Sequence, residues 1–311
     1  MPSHRYSEFI ERKGYQVICC EDCRYWHVHP MPTEKKLEDY YQKYYSQLGD
    51  NRTMTDKQHD PDGFYRLQYE DRLRLAEALI PKDLTKRVLD IGAGYGDFLR
   101  FMREKGWQTQ GIEPSLQALS LMADQRKLNV QQGHVDAISR KNFAPASLIT
   151  LNNVLEHVAH PQQILTTIRR ESLLLPDGVL LIIVPNDFNP LQDILRRSAH
   201  KDFPDQHYYW VGPPTHLNYW SIPTLKDFVR RCGFQPVHCT ADFPMEIFAL
   251  MGENYLLDPQ KGRPAHLKRV QFEKNLHRAG LDSFKDKLFA SFADLGIGRD
   301  TLLYCVEGRK P

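Results

Sequence analysis

A glycine-rich turn between an apolar run and an amphipathic segment restricts the possible folds of this chain more than any other feature. The apolar run is residues 87–90, the turn has glycines at positions 92, 94 and 96, and residues 98–105 repeat apolar side chains at helical spacing. The same succession of strand and helix recurs further along. Strands are predicted at residues 109–112, 128–131, 148–151, 179–184, 236–240 and 301–307, and helices at 116–122, 164–175 and 224–231. This alternation predicts a parallel sheet with helices on both faces.

Composition and charge exclude several classes of protein. Hydrophobic residues are 41% and charged residues 26% of the 311 residues, as in ordinary folded proteins of one or two domains. The formal net charge of +2 falls short of a dedicated nucleic-acid binder. The longest apolar run, residues 179–184, is far below the roughly 18 residues of a membrane span, and residues 1–16 lack the apolar stretch of a secretory signal. We therefore expect a cytoplasmic protein with no membrane span and no nucleic-acid partner.

The residues around the glycine turn indicate which ligand it binds. Glu113 lies at the tip of the second predicted strand, where a carboxylate can accept both hydroxyls of a ribose, so a nucleoside is expected. A dinucleotide site has the spacing Gly-x-Gly-x-x-Gly and binds a pyrophosphate, but here the third glycine comes one residue early. Asp90 and Asp97 flank the turn, and two carboxylates favour a ligand that carries an ammonium and a sulfonium. The pattern favours S-adenosylmethionine (SAM).

Several segments resemble, in order, those of a known superfamily, the class I SAM-dependent methyltransferases. They are residues 88–96 (first motif), 111–115 (second motif), 152–158 and 175–186 (around the fourth and fifth strands) and 215–234 (a stretch of a bacterial branch). The resemblance covers about residues 65–245 and the last strand. It implies an α/β fold with a Rossmann-like, seven-stranded, mostly parallel sheet and helices on both faces, an N-terminal extension, and a helical insertion before the last strand.

The resemblance also implies roles for particular residues. Asp90 and the glycine-turn backbone would hold the methionine part of SAM, Glu113 the ribose, Val135 and Asp136 the adenine edge, and Asn152 or Asn153 the floor near the sulfonium. The cofactor-binding positions expected are Asp90, Gly92, Ala93, Gly94, Tyr95, Gly96, Glu113, Pro114, Val135, Asp136, Asn152 and Asn153.

Two histidines are candidates for catalysis. Methyl transfer is an in-line displacement that depends on positioning, and a hydroxyl acceptor is helped by a base, a role to which histidine is suited. His157 follows the fourth predicted strand, and His216 lies in residues 186–223, an aperiodic stretch that we predict to be a long functional loop. We expect both to be catalytic, with a small-molecule or glycan substrate methylated at a hydroxyl oxygen.

Two other functions stay open. One is a nucleotide-sugar oxidoreductase on a dinucleotide fold, although the glycine spacing and Asp90 count against it. The other is a non-catalytic binding protein that keeps the SAM fold, although the glycines and Glu113 are intact.

The predicted domains are an N-terminal extension (1–60), a SAM-binding methyltransferase domain (61–245 with 296–311) and a helical insertion (246–295). Residues 281, 284, 288, 292 and 295 form one apolar stripe in the insertion, which would serve as a lid, a dimer surface or core padding; a homo-oligomer is possible.

The N-terminal extension contains a cysteine cluster. Cys19, Cys20 and Cys23, with His27 and His29 following, place thiols and imidazoles at short metal-ligand spacing. The segment resembles part of a zinc knuckle found in front of related bacterial methyltransferases, and a tyrosine-rich helix follows at residues 37–45. A structural zinc site normally uses two ligand pairs, and no second Cys-x-x-Cys occurs in the sequence. Zinc is possible, but we expect free thiols and no metal ligand.

Overall fold

The computed structural model describes residues 4–33, 35–37, 40, 63–134, 137–198 and 208–308. Val135 and Asp136, the expected adenine contacts, lie outside the described residues, as does most of the expected tyrosine-rich helix.

The strands and the helices described over their whole length are numbered in chain order. The strands are β1 (Tyr6–Arg12), β2 (Tyr15–Cys20), β3 (Tyr25–Val28), β4 (Arg87–Ile91), β5 (Gln108–Glu113), β6 (Val130–Gln132), β7 (Ala146–Asn152), β8 (Leu174–Pro185), β9 (Asn218–Tyr219), β10 (Phe234–Ala241) and β11 (Asp300–Glu307). The helices are α1 (Phe64–Leu79), α2 (Asp97–Glu104), α3 (Leu116–Leu121), α4 (Gln125–Leu128), α5 (Pro161–Arg170), α6 (Pro190–Ser198), α7 (Ile222–Arg231), α8 (Glu246–Leu250), α9 (Gly262–Arg278) and α10 (Asp282–Asp294).

The predicted seven-stranded sheet is confirmed, with the strand order β10-β11-β8-β7-β4-β5-β6. Strand β4 lies between β5 and β7 and pairs with both in parallel, and the pairs β5–β6 and β7–β8 are parallel too. Residues 146–151 and 179–184 are buried throughout, because strands of a covered parallel sheet face the core on both sides. Continuous apolar runs therefore predict these strands well.

A second sheet, with the order β1-β2-β3-β9, is antiparallel and was not predicted. Strand β1 gives little hydrophobic signal, because Ile10 is the one buried residue of its seven. Strand β9 has two residues and pairs with Trp26 and His27 of β3. No local sequence pattern predicts this pairing.

The predicted functional loop over residues 186–223 is wrong in part, because α6 and β9 lie within it. Asn189 precedes Pro190, and its Oδ1 accepts hydrogen bonds from the backbone N–H groups of Leu191 and Gln192, each at 3.0 Å. A side-chain cap followed by proline at the first helical position is a helix start signal that periodicity alone misses.

The predicted helix 164–175 is too long at its carboxyl end. Helix α5 ends at Arg170, Ser172 has a φ of 48°, and the Leu173 N–H bonds back to the Ile168 carbonyl. Such a left-handed residue ends a helix, so Leu174 and the residues after it join β8.

Helices α8, α9 and α10 lie in the predicted insertion, but the predicted apolar stripe is not the buried face of α10. Lys285 and Phe289 are buried, whereas Phe284 and Leu295 are 53% and 66% exposed. The charge of Lys285 acts on the buried carboxyl of Glu273 on α9 and opposes the rise that burial causes in the pKa of Glu273.

The chain divides into two compact units, each assembled from several segments. One unit comprises residues 1–31, 184–228 and 239–302, and the other 32–183, 229–238 and 303–311. In the first unit, α6 and α8 share an apolar cluster that contains Leu195, Ala249 and Tyr255. In the second, the parallel strands β4 to β7 form the core of the main sheet. No helix among the described residues combines the length and apolar character that crossing a membrane requires.

Candidate cofactor-binding site

The carboxyl ends of β4, β5 and β7 bring polar side chains to one edge of the main sheet. Asp90 of β4 pairs in register with Gly111 of β5 and Thr150 of β7, and Glu113 and Asn152 end their strands. All of them belong to the unit that contains residues 32–183. Open α/β sheets bind ligands at this edge.

Glu113 is held by backbone donors. Its Oε2 accepts the Gly94 N–H at 2.8 Å, and its Oε1 accepts the Ser115 N–H at 2.8 Å. Burial raises the pKa of Glu113 above its ordinary value, while these two hydrogen bonds oppose the rise. Because each carboxylate oxygen has two lone pairs, one acceptor position remains on each oxygen after these bonds. The arrangement suits a ligand with two neighbouring hydroxyls.

The glycines of the turn are required for different reasons. A Cβ on Gly92 would lie 2.5 Å from Cγ2 of Val154, so a side chain there would clash. At Gly96 the left-handed φ of 79° disfavours other residues, and a Cβ would lie 2.9 Å from Cδ1 of Leu128. A Cβ on Gly94 would meet nothing within 4 Å, although its φ of 55° is left-handed. Gly94 thus leaves space beside the carboxylate of Glu113, which fits a ligand that approaches the backbone.

Asp90 is a buried carboxylate with one strong donor. It is 3% exposed, and the hydroxyl of Thr150 donates to its Oδ1. Burial raises the pKa of Asp90 to about 7; the Thr150 hydrogen bond and the charge of Arg72 oppose the rise, and Glu113 adds to it. A ligand ammonium next to Asp90 would stabilise the ionised carboxylate.

The other expected cofactor contacts have different surroundings. Ala93 is buried, Tyr95 and Asn152 are half-buried, and Pro114 is exposed. Asn153 is exposed, with a φ of 55°, and its backbone N–H donates to the Ile183 carbonyl of β8 at 2.9 Å. These residues follow the ends of β4, β5 and β7, where the sequence predicts them.

The two candidate catalytic histidines belong to different units and are described separately. His157 ends a 3₁₀ turn, Leu155–His157, and its Nε2 lies 3.7 Å from Oε1 of the buried Glu156. The backbone of His216 is held on both sides: its N–H donates to Gly212, and its carbonyl accepts the hydroxyl of Tyr219 at 2.8 Å. Both imidazoles are half-buried.

Two residues near the cofactor edge, Thr150 and Arg72, are not among the cofactor contacts expected from the sequence. Thr150 bonds Asp90, and the available signal was a polar residue inside the apolar strand β7. Arg72 on α1 is 8% exposed and its charge reaches Asp90, whereas Arg66 on the same helix is exposed and pairs with Glu104 at 2.7 Å. The structure therefore favours Arg72 over Arg66 as a neighbour of this edge.

Comparison with known proteins agrees with the fold and the glycine turn. A family described as "Methyltransferase domain" matches residues 62–239, more than half of the chain. A protein of Staphylococcus carnosus (strain TM300) named "Uncharacterized methyltransferase" is 27% identical over 148 residues, which are 47% of this chain and 69% of that protein.

A solved structure of similar fold is the 1,6-didemethyltoxoflavin-N1-methyltransferase of Burkholderia thailandensis, with bound 1,6-didemethyltoxoflavin and S-adenosylhomocysteine. The likeness has a TM-score of 0.51 at 13% identity and covers 97% of this chain and 100% of that chain. It shows the class I fold. The family match over residues 62–239 establishes that this chain belongs to the SAM-dependent methyltransferases, and the solved structure agrees with the fold.

Proposed function

We propose that this methyltransferase transfers the methyl group of SAM to a hydroxyl oxygen of a small molecule or glycan. The observation that carries the cofactor part is the buried carboxylate of Glu113, which two backbone N–H groups hold beside the open space at Gly94. The acceptor part rests on the two half-buried histidines, 157 and 216, and on a net charge of +2 that gives no special attraction for nucleic acid.

In this proposal the carboxyl edge of the main sheet holds the cofactor. Glu113 accepts the ribose hydroxyls, and Asp90 faces the ammonium of the methionine part. The remaining contacts would come from Gly92, Ala93, Gly94, Tyr95, Gly96, Pro114, Val135, Asp136, Asn152 and Asn153. The bound cofactor supplies an electrophilic methyl group on a sulfonium.

The chain's own contribution to chemistry is position and proton removal. Rigid strand ends fix the cofactor side of the in-line arrangement, which is where most of the rate acceleration of a displacement originates. His157 is proposed to accept the hydroxyl proton, because the buried carboxyl of Glu156 lies 3.7 Å away and favours the charged imidazole that results. His216 is the second candidate for this role, and Tyr219 anchors its backbone.

A methyl-transfer assay with paired acceptors tests this proposal. Radiolabelled SAM is supplied with a panel of alcohols, phenols and sugars, each matched with the amine that replaces its hydroxyl. We expect label in the hydroxyl member of a pair, and kcat about 10²-fold or more lower in His157→Gln or His216→Gln, with the Kd for S-adenosylhomocysteine unchanged. Preferential labelling of amines, or full activity in both variants, would contradict the proposed acceptor and base.

A further inference from the structure

Four side chains from separate stretches of sequence meet beside the antiparallel sheet. His4 precedes β1, Cys20 ends β2, Cys23 lies in the β2–β3 turn, and His27 lies in β3. Each offers one ligand atom, and the four atoms all lie within 4.8 Å of one another. The cluster lies within one compact unit.

The distances around His4 match a shared cation. Its Nδ1 lies 3.1 Å from Sγ of Cys20 and 3.5 Å from Sγ of Cys23. On a tetrahedral zinc ion with usual bond lengths, a sulfur ligand and a nitrogen ligand lie about 3.6 Å apart. An imidazole Nδ1 carries at most one hydrogen and so satisfies one sulfur at a time, whereas a cation in the middle satisfies both.

His27 supplies an independent observation. Its Nδ1 lies 2.9 Å from the Val28 carbonyl, so the proton belongs on Nδ1 and the lone pair on Nε2. Nε2 is buried and has no hydrogen-bond partner among the described residues. A backbone carbonyl that fixes the tautomer of an imidazole is the usual outer partner of a metal-binding histidine.

The surroundings of the cysteine sulfurs also suit metal ligands. The backbone N–H of Cys23 donates to Sγ of Cys20 at 3.2 Å, and such a donor stabilises a thiolate. Cys20 is 2% exposed. Two cysteine sulfurs and two imidazoles, with ligand atoms within 4.8 Å of one another, are a donor set that prefers zinc over hard cations.

We propose that His4, Cys20, Cys23 and His27 bind one zinc ion in a closed, structural site. Because the protein provides all four ligands, no position remains for a substrate or water. The ion fastens the residue before β1 to the β2–β3 hairpin, and this role is independent of the proposed acceptor chemistry. The sequence indicates the cysteines of this site but not His4, which lies 16 residues before Cys20 and belongs to no short ligand motif.

Metal analysis of the full-length chain, without an affinity tag of histidines, tests the proposal. We expect about one zinc per chain after growth with added zinc, and cobalt uptake by chelator-treated protein with the absorption of tetrahedral cobalt bound to two thiolates. The His27→Gln and Cys20→Ser variants are expected to bind cobalt at least tenfold more weakly. Cys19→Ser and His29→Gln, which change neighbouring residues outside the cluster, are matched controls and keep full uptake.

Cobalt titration of the metal-stripped parent keeps the test independent of whether a ligand variant folds. The proposal is overturned if the parent contains no stoichiometric zinc and takes up no cobalt. A Cys20–Cys23 disulfide in freshly purified, zinc-free protein, seen by non-reducing mass spectrometry, overturns it too. So does equal loss of cobalt uptake in Cys19→Ser and Cys20→Ser.

Discussion

Asp90 and Glu113 lie at the carboxyl ends of two neighbouring strands, β4 and β5, and this position determines their hydrogen-bond donors. Both are nearly inaccessible to solvent, yet two backbone N–H groups donate to Glu113, whereas the Thr150 hydroxyl donates to Asp90. The difference in donors fits the two roles proposed above, Glu113 as an acceptor for hydroxyls and Asp90 as a partner for a cationic group.

The affinity for S-adenosylhomocysteine is expected to rise about tenfold between pH 6 and pH 8. In the free protein burial raises the pKa of Asp90 to about 7, so its carboxyl binds a proton at pH 6 that a ligand ammonium must displace. Stability of the free protein has the opposite sign: the contribution of Asp90 is full below its ordinary pKa and is lost as pH rises towards 7. Calorimetry at both pH values measures the affinity, and Asp90→Asn should remove the dependence. Equal affinity of the parent at pH 6 and pH 8 would contradict the role given to Asp90.

At the scale of elements, the turn between β4 and α2 has two glycines that lack side chains for different reasons. A side chain at Gly92 would clash with the neighbouring Val154, whereas a side chain at Gly94 would enter space that the protein leaves open. Substitutions at these two glycines should therefore fail in different ways, one in stability and the other in binding.

Gly94→Ala is expected to weaken S-adenosylhomocysteine binding at least tenfold while lowering the free energy of unfolding by only about 1–2 kcal/mol, the cost of a left-handed alanine. Gly106 is the matched control, since its φ is 84° and a Cβ there also meets nothing within 4 Å. Gly106→Ala should lose similar stability and keep the parent's affinity. Urea unfolding and calorimetry on both variants measure the two effects, and equal affinities would refute a ligand at Gly94.

Gly92→Ala is expected to lower the free energy of unfolding by about 3 kcal/mol or more, because its Cβ would lie 2.5 Å from Cγ2 of Val154. Adding Val154→Ala creates room and should recover part of the loss in a double-mutant cycle followed by urea unfolding. If Val154→Ala makes no difference in the Gly92→Ala background, the clash is not the cause.

Helix α9 contributes residues to one buried ion pair and to one exposed ion pair. The side chain of Arg269 is 2% exposed and lies 3.0 Å from Glu273, whereas Lys268 and Glu253 pair at the surface. Arg269→Ala is expected to cost about 3–5 kcal/mol of unfolding free energy, since it strands a buried carboxylate, and Lys268→Ala at most about 1 kcal/mol. Chemical denaturation compares them, and similar losses in both variants would show that burial does not set the cost.

For the whole molecule, the sequence predicts the main sheet well because its strands are continuous apolar runs. It places the third strand at 128–131 instead of Val130–Gln132, since α4 reaches Leu128 and the left-handed Asn129 separates the two. The antiparallel sheet and the part played by His4 in the proposed zinc site escape prediction for a shared reason. Their defining contacts join residues far apart in sequence, such as His27 with Asn218 and His4 with Cys20, and local patterns carry no information about such contacts.

The residues of the candidate site likewise divide into those that local patterns predict and those that depend on contacts distant in sequence. The glycine turn, Asp90 and Glu113 are predicted because their chemistry is local to strand ends. Thr150 is not, because its role depends on the register between β4 and β7.

Calorimetric titration with S-adenosylhomocysteine, with NADH as the control ligand, tests the central claim most directly. The parent and the surface variant Glu104→Ala, whose carboxyl is 56% exposed, are expected to bind S-adenosylhomocysteine with micromolar affinity and NADH not at all. Glu113→Ala is expected to bind at least tenfold more weakly, since the ribose loses its acceptor. Binding of NADH alone, or unchanged affinity in Glu113→Ala, would contradict the assignment of this sheet edge to SAM.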